Sequence, residues 1–265
     1  MKVYISADIE GVTGTTHWDE TQLSKGDYAP FREQMTAEVV AACEGALEAG
    51  ATEIWVKDAH DSARNILPAR LPREARLIRG WGMSPLMMVQ ELDESFQALL
   101  LVGYHSRAGT GSSPLAHTMT DSFRHIRLNE RYASEFLIHA YAAASLGVPV
   151  ALVSGDKGLC DEVTDLNPHI AAVAVKEGIG NSTVNVHPGL AVDRIREGTS
   201  RALRGDLSRA LVALPRRFVL ELAYRDHAKA YTFGFYPGAR RVDDLTVQLE
   251  TENYLDVLRA LMFAM

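Results

Sequence analysis

Two carboxylates stand two positions apart near the start of the chain, Asp8 and Glu10 in the run Asp8-Ile9-Glu10-Gly11. In extended backbone the side-chain direction repeats every second residue, so both point to one side. Paired carboxylates repel each other unless a shared proton or a cation intervenes, and a metal ion is the natural cation. Gly11 lets the chain turn away from, or pass close to, whatever sits there. A lone D-x-E is ordinarily a solvated acidic turn. Here the arrangement recurs: Lys57-Asp58-Ala59-His60 and Gly103-Tyr104-His105 each put a coordinating side chain just past an apolar run. Carboxylate plus imidazole without thiolate suits zinc in a catalytic site, and would also suit manganese or iron.

The elements that must position these residues follow from periodicity. Residues 2–8 alternate apolar Val3, Ile5 and Ala7 with Lys2, Tyr4 and Ser6, a strand pattern. A polar loop over 12–27 follows, in which His17 reads as a satisfied loop histidine rather than a ligand. A helix is expected over 30–49 and a strand over 53–57, together a βαβ unit that starts a parallel sheet. Further strands are expected over 76–78, 97–103, 148–153 and 171–175, and helices over 83–90, 134–146 and 188–203. The methionines of 83–90 read as core or interface. A hairpin-like excursion turns at Asn129-Glu130, and 154–158 reads as a polar loop. Three consecutive strands, over 217–224, 230–235 and 242–250, then precede a helix over 254–265. The expected fold is α/β: a mostly parallel open sheet flanked by helices, with a C-terminal antiparallel strand-rich subdomain or extension. The division falls into 1–212, the metal-binding catalytic part, and 213–265. In open parallel sheets ligands bind beyond the carboxyl ends of the strands, near a reversal in strand order. Asp8, Glu10, His60 and His105 all fall at such ends.

Composition removes several classes of function. The net charge of −7, with no dense Lys/Arg stripe, argues against a nucleic-acid partner. The apolar stretches are too short to span a bilayer. The two cysteines, Cys43 and Cys160, have no CxxC spacing, and the N-terminus lacks signal-peptide architecture, so a cytoplasmic setting is expected. No HExxH occurs, which excludes the helical zincin arrangement, and neither G-x-G-x-x-G nor G-K-[ST] marks a nucleotide site.

The run Ser6-Ala7-Asp8-Ile9-Glu10-Gly11 resembles the S-x-D-x-E-G opening of the M55 metallopeptidases, the D-aminopeptidases. The likeness continues at Lys57-Asp58-Ala59-His60, Gly103-Tyr104-His105, His117-Thr118-Met119, Asn129-Glu130-Arg131 leading to Glu135, Gly155-Asp156 and Ala172-Val173-Ala174-Val175-Lys176, so it covers nearly the whole chain. The resemblance implies a dinuclear site with two Zn2+ per subunit. Asp8 would bridge them, Glu10 and His60 would complete one ion, and His105 and Glu135 the other. By itself Glu135 is an ordinary first-turn acid. Asp58 is either a partner that orients His60 or nearby backbone, or a solvated strand-end carboxylate. His117 matches a position given the role of nucleophile in the family, though a neutral imidazole beside zinc serves acid–base work at least as easily. The loop 108–114 is one residue longer than the family pattern, which bears on substrate fit. The implied activity is zinc-dependent hydrolysis of the amino-terminal bond of short D-amino-acid peptides such as D-Ala-D-Ala, by activated water, in a ring-like homodecamer. A dinuclear metal amidase or other hydrolase acting on another small substrate is the alternative, and a non-catalytic metal-binding protein a more distant one.

Overall fold

The alternation at the start of the chain becomes β1 (Lys2–Ala7), the strand on which the others are laid. Val3, Ile5 and Ala7 enter one hydrophobic core and Tyr4 the other, so the strand is buried on both faces. The structure, a computed structural model describing residues 1–265, continues with α1 (Tyr28–Glu48), β2 (Glu53–Asp58), β3 (Ala75–Ile78) and β4 (Ala98–Tyr104). Next come β5 (Phe123–Leu128), β6 (Arg131–Tyr132), α2 (Glu135–Ser145), β7 (Val150–Asp156), α3 (Lys157–Leu166), β8 (Ala171–Ile179), β9 (Ser182–Asn185) and α4 (Pro188–Leu203). The chain closes with β10 (Phe218–Tyr224), α5 (His227–Phe233), β11 (Ala239–Arg241), β12 (Thr246–Thr251) and α6 (Tyr254–Ala264).

Seven strands form the main sheet in the order β3-β2-β1-β4-β7-β8-β9, parallel except for the hairpin strand β9. One core packs α1 and α4 against one face through Val3, Ile5, Val39, Ala42, Cys43, Leu100 and Ile195. The other core joins the opposite face to α2, α6 and a second sheet through Tyr4, Leu99, Leu101, Phe136, Leu220 and Leu258. From β1 the chain builds outward to β2 on one side and returns to place β4 on the other. The switch point therefore lies at the carboxyl ends of β1, β2 and β4, where α/β sheets bind ligands.

The second sheet is antiparallel, in the order β11-β12-β10-β5-β6. Its middle takes β5 from the excursion at residues 123–132, with Leu220 opposite Leu128 and Leu222 opposite Ile126. The C-terminal strands thus complete a layer begun a hundred residues earlier, and hydrogen bonds cross the 212/213 boundary. Three local expectations change. Residues 227–233 are helical rather than extended, because Asp226 caps the Ala228 N–H and the helical turn buries Ala230 and Phe233 in the core while Tyr231 stays exposed. Residues 154–158 are not a loop: β7 runs through to Asp156, whose side chain accepts the Leu159 N–H and caps α3. Of the helix expected over 83–90, only a single 3-10 turn at Met87–Val89 forms.

The ends of β1 and β4 are drawn unusually close. The Asp8 N–H donates to the Val102 carbonyl and the Gly11 N–H to the Gly103 carbonyl. A Cβ on Gly11 would fall 1.7 Å from the Tyr104 carbonyl oxygen, and one on Gly103, at φ +71°, would fall 2.3 Å from the Asp8 carbonyl oxygen. Gly11→Ala must push the two strands apart. It is expected to cost about 3 kcal/mol or more and to lower the thermal midpoint by roughly 6–12 °C, as measured by calorimetry.

Candidate metal centre

Asp8 and Glu10 leave the end of β1, His60 stands two residues beyond β2, and His105 directly follows β4. Register does the gathering: Ala7 pairs with both Asp58 and Val102, so β1 and β2 end level while β4 runs two residues further to Tyr104, just before His105. Glu135 arrives from the other layer as the first residue of α2, whose N-cap Ser134 accepts the Leu137 N–H. All five are buried, at 2% exposure for Asp8 and Glu10, 7% for His60, 1% for His105 and 3% for Glu135.

Asp8 Oδ1 lies 3.2 Å from His60 Nδ1, and Glu10 Oε2 lies 3.0 Å from the same nitrogen. Asp8 Oδ2 lies 3.5 Å from His105 Nε2, and Glu135 Oε2 lies 3.3 Å from that nitrogen. The far nitrogen of each imidazole is held by a backbone carbonyl: His60 Nε2 by Thr21 at 2.8 Å and His105 Nδ1 by Ser106 at 3.0 Å. With the N–H donated there, the near nitrogen offers a lone pair to the carboxylate side, the pattern of a metal-ligating histidine.

Electrostatics make the same demand. Burial, and the Glu10 carboxylate beside it, push the Asp8 carboxyl well above the usual carboxylate range. Burial acts likewise on Glu10, but the charge of the adjacent His60 overcomes it and holds Glu10 low. Burial would lower His105, yet Glu135 and Asp8 raise it to about 10. Glu135 is desolvated too, and His105 draws it down to about 2. The cluster thus calls for positive charge among its carboxylates, supplied by protons on imidazole or by a cation. Glu10 Oε2 and His105 Nε2 are buried without a hydrogen-bond partner, an expensive omission in a folded interior. Two ligand atoms about 2.0–2.1 Å from a shared tetrahedral zinc stand about 3.3 Å apart, as these four contacts do. The residues present fit a metal ion, and both the Asp8, Glu10, His105 group and the His105, His117, Glu135 group could hold one.

His117 lies beside this cluster. Its ring stacks on His105 with centroids 4.3 Å apart and meets the edge of Trp18 at 5.3 Å. Nδ1 faces the Leu115 carbonyl at 3.0 Å, and Nε2 is 3.7 Å from Glu135 Oε1. Asp58 does not reach the His60 ring. It accepts the N–H groups of Asn65 and Ile66 at 2.5 and 2.8 Å and the Asn65 side-chain amide at 2.8 Å, and that amide in turn donates to the His60 carbonyl at 2.7 Å. His17 is exposed and caps a 3-10 turn through the Asp19 N–H, away from the cluster.

Two supports escaped the sequence reading. Thr21 is an ordinary loop threonine whose carbonyl carries no sequence signal. Lys176 did carry one: it is the first charge after the apolar run Ala171 to Val175. Buried, its Nζ donates to the carbonyls of Glu10 and Thr15, fixing the ligand loop to β8. Thr13 adds bonds to the Val175 and Val186 carbonyls, and its N–H donates to Glu38 of α1.

An oxygen-and-imidazole donor set at the switch point of a parallel sheet, with a further imidazole beside it, defines the class: a metal-dependent hydrolase. The family model described as peptidase M55, D-aminopeptidase, matches residues 1–263. A D-aminopeptidase of Bacillus subtilis (strain 168) is 32% identical over 264 residues, spanning 99% of this chain and 96% of its own. A solved structure, "Zn-dependent D-aminopeptidase DppA from Bacillus subtilis, a self-compartmentalizing protease", matches with a TM-score of 0.92 at 30% identity, covering 100% of this chain and 96% of its own. The chain belongs to the M55 peptidases and is an aminopeptidase.

Glu38 gives a test of how this loop is held. Burial raises its carboxyl to about 7 against the opposing effects of Gln34, the Thr13 N–H and Lys176. The folded protein therefore keeps the Glu38 proton, and this group's contribution to stability falls, as pH rises from 4.5 to about 7. Glu38→Gln removes that loss. Thermal melts from about pH 5 to pH 8 should show the variant gaining on the native protein by up to about 3 kcal/mol.

Proposed function

We propose that this enzyme is a zinc-dependent aminopeptidase that hydrolyses the amino-terminal bond of short D-amino-acid peptides, D-Ala-D-Ala among them, with two Zn2+ per subunit. The observation that carries the proposal is the division of Asp8. One of its oxygens faces His60 and Glu10, the other faces His105 and Glu135, at 3.2 and 3.5 Å from the two imidazoles. Glu10 and His60 would hold one ion, His105 and Glu135 the other, and Asp8 both. Zinc bound there would supply Lewis acidity toward the scissile carbonyl and a water of lowered pKa.

The chain's own residues do the rest. Asp58, through Asn65, keeps the His60 loop in place. Thr21 and Ser106 fix the tautomers of the two ligand imidazoles. His117 is the acid–base residue: with Nδ1–H donated to Leu115, Nε2 carries a lone pair that takes a proton from the attacking water and returns it to the leaving nitrogen. The D-preference and zinc dependence draw support from the names of the Bacillus subtilis relatives. The word "self-compartmentalizing" in one of those names supports a homo-oligomer, proposed as a homodecamer, and exposed Phe235 and Phe263 offer apolar surface for subunit contacts. No helix is long and apolar enough to cross a membrane. Two buried free cysteines support a reducing, cytoplasmic setting.

Hydrolysis of D-Ala-D-Ala beside L-Ala-L-Ala, in zinc-loaded and chelator-stripped protein, tests the reading. Zinc-dependent turnover favouring the D,D-dipeptide is expected at two zinc per chain. Two bound zinc ions with turnover of neither peptide would reject the substrate and bring forward the amidase alternative. His117→Ala is expected to lower kcat by about 100-fold or more with zinc content retained. An unchanged rate at full zinc content would remove His117 from the mechanism.

A further inference from the structure

Of the eight methionines in the chain, Met83, Met87, Met88, Met119, Met262 and Met265 line a single cavity. The cavity holds about 350 Å³ and opens directly onto Asp8, His117 and Glu135. Its remaining apolar lining is Trp81 and Ala59, with no leucine, isoleucine or valine. Wall residues recruited merely to fill a core would draw on those commoner types. Met83, Met87 and Met119 moreover have φ of +54°, +46° and +64°. This left-handed region is unfavourable to a residue with a long side chain, and such strain gathers at ligand clamps.

Trp81 is held in place. Its Nε1 donates to the Asp61 carbonyl at 2.7 Å. Lys57 Nζ sits 4.2 Å from the indole and donates to the Gly80 carbonyl at 2.6 Å. The lining thus combines a fixed aromatic ring with flexible, polarisable thioethers that re-form around apolar groups of differing shape. No lysine or arginine lines the cavity, and Asp8, Asp61 and Glu135 do. An anionic side chain would meet repulsion there.

We propose that this cavity is a subsite for the side chain of a residue flanking the scissile bond, and that it selects long or bulky apolar side chains over alanine. The proposal rests on the aminopeptidase reading and names its substrate class: peptides with an apolar residue at the hydrolysed bond. An alanine methyl leaves most of the volume unfilled, whereas each further buried methylene is worth about fourfold in binding.

The test compares kcat/KM of the zinc-loaded enzyme for D-norleucyl-D-alanine and D-alanyl-D-norleucine with that for D-Ala-D-Ala. One of the two norleucine peptides is expected to exceed D-Ala-D-Ala by at least about tenfold. Met262→Gln, of similar length but polar, is expected to bring that ratio toward one, while Met262→Leu keeps most of it, folding of both being followed by thermal melts. If D-Ala-D-Ala is turned over and neither norleucine peptide is better, the subsite is overturned and the aminopeptidase reading stands. If no peptide is turned over, that reading fails, and calorimetric binding of D-norleucinamide against D-alaninamide decides the subsite: tighter binding of the former upholds it, equal binding overturns it.

Discussion

Three carboxylates, Asp8, Glu10 and Glu135, are packed against one another almost out of reach of water, and most of the surrounding structure answers that repulsion. At such separations in a poorly solvated interior, like charges are held together only by compensating positive charge. The chain provides it in layers. His60 and His105 sit between the acids, each turned by a backbone carbonyl so that one nitrogen faces them. Glu135 opens α2, where the unpaired N–H groups and the helix dipole favour an anion. Lys176 brings a buried ammonium against the Glu10 carbonyl. Glu10 Oε2 and His105 Nε2 nevertheless remain without partners, which leaves a role for a cation.

That requirement constrains the scaffold. A cluster drawn from the ends of three strands needs those ends close, and the backbones meet where no Cβ fits, at Gly11 and Gly103. It also needs an element from the opposite layer to bring Glu135. Helix α2 does so because it is buried on every side from Glu135 to Ala143, within the core that joins the main sheet to the antiparallel layer. The excursion β5–β6 that precedes α2 is anchored in that second sheet by β10. The C-terminal strands therefore fix the approach of a residue they never touch.

The sequence discloses this site unevenly, for physical reasons. Asp8, Glu10, His60 and His105 were legible because a strand announces itself by period-two burial, and a polar side chain at its end stands out against the apolar run. The parallel sheet followed from these runs, and the helices over 30–49, 134–146 and 188–203 from apolar spacing at the helical period, with ends displaced by a residue or two. Glu135 had no local signature, since an acid in a first helical turn is favourable anywhere; its place came from a resemblance. The helix at 227–233 was hidden by its aromatics, which favour strands in isolation; here Phe233 is buried in the core and Tyr231 is exposed. The helix after Asp156 was hidden because Ser-Gly-Asp-Lys-Gly reads as a turn. Yet Gly155 is needed inside the strand, where a Cβ would lie 1.9 Å from the Tyr104 carbonyl oxygen.

The two sides of the site are built from different materials, and Met119 joins them. The ligand side is rigid: short buried side chains whose spare hydrogen-bonding atoms are tied to backbone. The cavity side is deformable: thioethers on loops, a 3-10 turn and the end of α6, half of them at positive φ. The Met119 N–H donates to Glu135 Oε1 at 2.6 Å, while its side chain lines the cavity. A φ of +64° is the backbone conformation in which this residue does both. A group entering the cavity therefore presses on the residue that orients Glu135, and through Glu135 on the oxygen facing His105. The wall of the cavity and the orientation of the Glu135 carboxylate are in this way tied to one residue.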